Sequence, residues 1–224
     1  MVKIDLQFFG GRGAGSSSGG GSGGVFSTGR GGGSGKSLGL AGQTYFEDGN
    51  KVSVSGTLNF WEGKSAGLKK EELLMVDEDG FACGYFKGGA TSVSFSIPKD
   101  VDPKKTVLTH NHPAGGKDGR TIGGSFSNAD LNNHIDIGFK ETRATSVEGT
   151  YSFKTGRNAN ATGFKAALKT RQSECLTKAK NKVAKGDTRS EIDIYLDECH
   201  KWYKTNCKKY GYEYSFTKAK GSKK

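Results

Sequence analysis

Residues 106–131 read TVLTHNHPAGGKDGRTIGGSFSNADL, and the rest of the chain is best understood from them outward. Val107 and Leu108 form a short apolar run. It delivers His110 and His112, one residue apart, to a stop at Pro113 and a Gly-rich segment. In an extended chain alternate side chains share a face, so both imidazoles point the same way, as a shared metal ion requires. Ser127 and Asp130 then fall at a predicted helix start, Ser127 as the N-cap and Asp130 in the first turn. Two imidazoles and one carboxylate make a three-ligand set that leaves a fourth zinc position open for water. Catalytic zinc requires that arrangement and structural zinc avoids it.

The pattern His110-Asn111-His112-Pro113 followed by Ser127-x-x-Asp130 resembles the signature of the JAB/MPN (JAMM) metallopeptidases, closest in wording to the RadC-like and phage or mobile-element branches. The resemblance covers about residues 71–154. It implies His110, His112 and Asp130 as zinc ligands and Ser127 as a stabiliser of the oxyanion. It further implies an α/β (α+β) fold, with a JAB/MPN-like, cytidine-deaminase-like central mixed sheet and flanking helices. The polar insertion KDGRTIG, residues 117–123, lengthens the path from His112 to Ser127 and can loop out without moving either.

Upstream, EELLMVDEDG at 71–80 reads as a strand, 73–76, entering an Asp-Gly turn, with a return strand at 81–86. A third strand is predicted at 92–97. In the mobile-element branch a Glu opens this first strand, and Glu71 has the matching spacing to the turn glycine. Its role there is general base, taking a proton from activated water and passing it to the leaving amine. Glu72 is the competitor, and alternation lets only one of the two face the metal. Glu71 is preferred.

The chain has 224 residues, 36 of them Gly, and only 33% hydrophobic residues, so a modest core plus non-globular segments is expected. Residues 1–9 alternate as a short strand or docking peptide. Residues 10–36 contain 14 glycines and read as a disordered, flexible tether. GGGSGKS at 31–37 lacks the strand before and the helix after that a phosphate loop needs. The short apolar start followed by a Gly/Ser tract resembles the opening of phage virion proteins. Short strands are predicted at 44–46 and 51–60, around a turn at 48–50.

Beyond the metal stretch, a helix is predicted over 128–138, with His134 one turn past Asp130, where it can lean towards the metal, although a place behind the ligands or at the surface is preferred. A hairpin follows, 142–147 and 150–154, turning at Glu148-Gly149. Phe164, Leu168, Cys175, Ala179 and Val183 mark one helix. Ile192, Tyr195, Leu196, Cys199, Trp202 and Tyr203 mark a second, with Asp187 or Thr188 as its cap. Residues 210–216 suit a last strand. The expected organisation is an apolar peptide and Gly/Ser arm over 1–36, a metal-binding domain over 37–156, a basic helical pair with a terminal strand over 157–216, and a basic tail over 217–224.

Net charge is +11, and from residue 157 onward 17 Lys and Arg stand against 7 Asp and Glu. Cys83, Cys175, Cys199 and Cys207 have no zinc-knuckle spacing and are read as reduced, buried thiols. No apolar run approaches the roughly 20 residues of a membrane span, and no secretory signal pattern opens the chain. A cytoplasmic location in a bacterial host, with incorporation into a phage particle as a further option, is expected.

The reading leans towards an enzyme: a zinc-dependent hydrolase of peptide or isopeptide bonds, phage or prophage encoded, acting on a modifier tail or a virion protein. The alternative is a virion or head-associated binding protein that keeps the same scaffold. Nucleic-acid contact through the basic C-terminal helices is the less favoured partner.

Overall fold

The computed structural model describes residues 4–7, 53–90, 92–113 and 125–219, of which 4–7 are described by backbone only. The Gly/Ser arm with its GGGSGKS run, the predicted strand 44–46, the turn 48–50 and the insertion 117–123 lie outside the described residues. The elements run β1 (Ile4–Gln7), α1 (Val54–Ser65), β2 (Glu72–Val76), β3 (Ala82–Lys87), β4 (Ser92–Phe95), a 3-10 turn (Pro103–Lys105), β5 (Val107–Asn111), α2 (Asn128–Ile137), β6 (Glu141–Ser146), β7 (Gly149–Thr155), α3 (Ala161–Ala184), α4 (Glu191–Lys209) and β8 (Tyr212–Lys218).

Six strands form one mixed sheet in the order β3-β2-β5-β6-β7-β8, and β1 pairs antiparallel with β4 in a separate two-stranded ribbon. All neighbours in the large sheet are antiparallel except β5 and β6. A parallel pair needs a crossover, and α2 supplies it. The carboxyl end of β5 and the amino end of α2 therefore sit at the same edge of the sheet, where crossover folds place their ligands.

Strand alternation gives the β2, β3 and β5 part of the sheet two packed faces. On one face α1 lays Leu58 and Trp61 over Leu74, Val76, Tyr85 and Val107. On the other, Leu73, Met75, Phe86 and Leu108 pack with Val93, Phe95 and Phe139. Leu131, Phe153, Phe164, Leu168, Trp202, Tyr203 and Tyr212 form a third cluster, which binds α2, α3, α4 and the β7–β8 end into one core. The glycine between β2 and β3, Gly80, has φ +91, and a Cβ there would lie 2.4 Å from the Ser53 carbonyl carbon. Only glycine lets the hairpin turn meet the start of α1.

The predicted strand at 51–60 is a helix from Val54 onward. Ser53 caps it by accepting from the Gly56 N–H at 3.1 Å. The buried positions Thr57, Leu58, Trp61, Glu62 and Ser65 carry helical spacing. The local alternation around Val52 and Val54 imitates a strand, and the helical stripe shows only when Trp61 and Ser65 are read with it. The cap of α4 is also corrected. Ser190 caps it, accepting from Asp193 N, whereas Asp187 is taken up by Arg189. Val183, expected in the apolar stripe of α3, is exposed, while Phe164, Leu168, Cys175 and Ala179 are buried. The last strand runs two residues later than predicted and extends the same sheet that carries β5.

Candidate metal centre

β5 brings His110 and His112 to the face shared with Leu108, and both are buried. Ser127 begins α2 through a reciprocal cap. Its hydroxyl accepts from the Asp130 N–H at 3.1 Å, and the Asp130 carboxylate accepts from the Ser127 N–H at 2.6 Å. This capping box fixes Asp130 against the histidines. Their Nε2 atoms lie 3.0 Å apart. From His110 Nε2 to Asp130 Oδ1 is 3.6 Å, and from His112 Nε2 to Asp130 Oδ2 is 3.9 Å.

Glu71, immediately before β2, joins the histidines: its carboxylate and the two imidazoles offer ligand atoms all within 4.8 Å of one another. Its neighbour Glu72 faces the other way and accepts a hydrogen bond from Tyr85 Oη at 2.5 Å. Alternation thus divides the two glutamates, and Glu71 is the one brought to the histidines. Its backbone is held by Gly88 and Gly89, the N–H donating to Gly89 O and the carbonyl accepting from Gly88 N–H, both at 2.7 Å.

The electrostatics of the cluster are those of two carboxyl groups buried beside two imidazoles. Burial, and next the charge of Asp130, push the Glu71 carboxyl up to about 9. Asp130 is itself fully buried, which by itself raises its pKa. The charge and hydrogen bond of His110, the charge of His112 and the Ser127 N–H outweigh that and hold it below the usual range. Three buried side-chain polar atoms among the described residues lack a hydrogen-bond partner, and two of them, Glu71 Oε2 and His110 Nδ1, belong to this cluster. Buried polar groups are paired almost everywhere else in folded proteins, so the open Glu71 oxygen marks where a ligand is called for; His110 Nδ1 lies on the ring edge away from the Nε2 that faces the cluster.

The donor set fits a small dication. Zinc with nitrogen ligands at about 2.0–2.1 Å has tetrahedral edges of about 3.3 Å, and the 3.0, 3.6 and 3.9 Å separations lie around that value.

His134 is neither a surface group nor free to lean towards the cluster. It is fully buried in the third core cluster region, its Nδ1 2.9 Å from Thr142 Oγ1 and its Nε2 3.0 Å from Thr155 Oγ1. Both ring nitrogens are occupied, and burial pushes its pKa down to about 4.

Two sets of supporting contacts were not legible beforehand. Asn111, the middle residue of His-Asn-His, accepts from Glu72 N–H at 2.6 Å and donates to Lys70 O at 3.0 Å. On the far side, Tyr203 Oη donates to Phe126 O at 2.6 Å. Arg171, also buried, donates through Nε and Nη2 to Asn128 Oδ1 at 3.1 and 2.9 Å. The residues on either side of Ser127 are thus gripped by α3 and α4. The available signal was an Arg at 171 within the apolar stripe of α3, between Leu168 and Cys175.

The C-terminal basic charge is partly used internally, since Lys182 and Lys201 both pair with Glu198. The four cysteines are buried and unbridged. Among the described residues no helix is long and apolar enough to cross a membrane. No protein-family model, curated protein or solved structure matches the chain.

Proposed function

We propose that the chain is a zinc-dependent hydrolase of peptide or isopeptide bonds built on a JAB/MPN-like domain. The observation that carries the reading is the convergence of Glu71, His110 and His112 in a buried cluster with Asp130, one Glu71 carboxylate oxygen left unpartnered. A scaffold has no use for such a cluster, because burying unpaired polar groups costs stability. His110, His112 and Asp130 are the residues that would hold zinc. When bound, zinc supplies a Lewis acid and lowers the pKa of water.

The chain's own residues supply the rest. A bound dication would favour the carboxylate form of Glu71, the form that a general base requires. It takes the proton of the attacking water and delivers it to the leaving amine. Ser127 Oγ, its lone pair engaged by Asp130 N–H, keeps its hydroxyl proton for donation to the developing oxyanion. Burial of the whole set excludes bulk water and strengthens each of these interactions. The substrate class is a protein or peptide, such as a modifier tail or a virion protein, in keeping with a phage or prophage origin.

Elemental analysis of the purified protein beside His112→Ala and Asp130→Asn tests the reading. Asn at 130 retains an acceptor for the α2 cap. About one zinc ion per chain in the wild type, lost in both variants, is the expected result. Peptide and isopeptide substrates are then screened against Glu71→Gln. A wild-type protein that takes up no metal, even with zinc added, overturns the proposal.

A further inference from the structure

We infer that Asn111 is a positioning residue that ties Glu71 to the histidine pair, an inference that rests on the metal-centre reading above. The observation lies in the strand register. β2 and β5 pair from Val76↔Val107 to Leu73↔His110, and there the ladder ends. Continued by one and two residues, the same antiparallel register would set Glu72 opposite Asn111 and Glu71 opposite His112. The side-chain amide of Asn111 takes the place of the ladder. It accepts from the N–H of Glu72 and donates to the carbonyl of Lys70, the peptide groups on either side of Glu71.

Asn is the residue type this task needs. It offers an acceptor and a donor on one planar group, whereas an ionised Asp is acceptor only and a hydroxyl is shorter. The amide is fully buried, and its two bonds reach backbone groups that are only partly buried. On the opposite side Glu71 is bonded through its backbone to Gly88 and Gly89. The base is therefore held from both neighbouring strands, and only the Asn111 side refers it to the residues that hold the metal. The middle position of His-Asn-His sets the distance between base and metal ligands without touching either the ion or the substrate.

Cobalt(II) in place of zinc gives a readout independent of any substrate. Wild type, Asn111→Ala, Asn111→Asp and Glu71→Gln are loaded with cobalt, and stoichiometry and visible d–d absorption are recorded. Thr57→Val serves as a control that removes a different buried hydrogen bond, the one from Thr57 Oγ1 to Gly80 O at 2.6 Å. The expected result is that Asn111→Ala keeps the wild-type cobalt stoichiometry, because His110, His112 and Asp130 are intact. Its spectrum moves in the direction set by Glu71→Gln, whereas Thr57→Val leaves the spectrum unchanged. Exchange of the Glu72 amide proton is faster by roughly tenfold in Asn111→Ala, as loss of one buried hydrogen bond implies. Asn111→Asp retains the acceptor for Glu72 and so retains the amide protection while losing the bond to Lys70. If Asn111→Ala does not fold, this isosteric variant carries the test, its spectrum again moving towards that of Glu71→Gln.

A wild-type spectrum in both Asn111 variants, with Glu71→Gln shifted, overturns this inference and leaves the metal centre standing. A shift of equal size in Thr57→Val also overturns it, since the effect would then follow from lost stability. A wild-type protein that binds no cobalt overturns the metal centre itself.

Discussion

Removing one hydroxyl should show whether the C-terminal helices hold the candidate metal centre together. In Tyr203→Phe the ring stays in a fully buried position against Phe126, Trp202 and Tyr214 and under the Arg171 guanidinium, 5.1 Å from its centre. Only the 2.6 Å bond to the Phe126 carbonyl is lost. A buried carbonyl left without its partner costs about 1–3 kcal/mol, because the new residue offers no donor and no water replaces it. For a chain of this size each kcal/mol lowers Tm by roughly 2–4 °C, which gives a fall of about 2–12 °C. Phe126 directly precedes Ser127, so the loss falls on the segment that carries Asp130, and zinc affinity should weaken with stability. Urea unfolding followed by circular dichroism, with the slope unchanged between the two proteins, measures the first quantity. Competition with a chromogenic chelator measures the second. A midpoint shift worth less than about 0.3 kcal/mol, with unchanged zinc affinity, would refute the reasoning.

Two further predictions concern the buried polar groups on either side of the sheet. His134 is neutral in the fold, with its pKa depressed to about 4 by burial. The unfolded chain takes up that proton near pH 6.5, so stability is complete above this value and falls as pH drops towards 4, by about 3 kcal/mol in all. His134→Gln should flatten the dependence of urea midpoint on pH across that window, and an unchanged slope would count against the assignment. On the α1 face, Arg143 grips the buried Glu62 through bonds of 2.6 and 2.9 Å and also meets Glu141 at 2.9 Å. Arg143→Met leaves Glu62 buried without its countercharge and should cost about 3 kcal/mol or more, while Glu62→Leu/Arg143→Met should recover part of the loss. A double variant no more stable than Arg143→Met would argue against this.

The sequence by itself determined the elements whose signals are local. The Ser127 cap with Asp130 in the first turn, the Asp-Gly hairpin, the second hairpin, whose turn was expected at Glu148-Gly149 and falls one residue earlier, and the two long C-terminal helices follow from side chains that act on their own backbone within a turn or two. Alternation placed His110 and His112 on one face for the same reason. The helix at Val54–Ser65 was hidden because its first residues alternate like a strand, and only burial of Trp61 and Glu62 against the sheet makes the helical face pay off.

Tertiary structure alone decided what lies across the sheet. The order β3-β2-β5-β6-β7-β8 brings Glu71 beside residues about 40 positions away, and it turns Glu72 to Tyr85. It also makes the basic C-terminal pair the wall against which Phe126 and Asn128 are fixed. His134, one helical turn from Asp130, points instead into Thr142 and Thr155. Such contacts depend on which strand is whose neighbour, a choice made by burial of the whole apolar surface at once, and no local pattern encodes it.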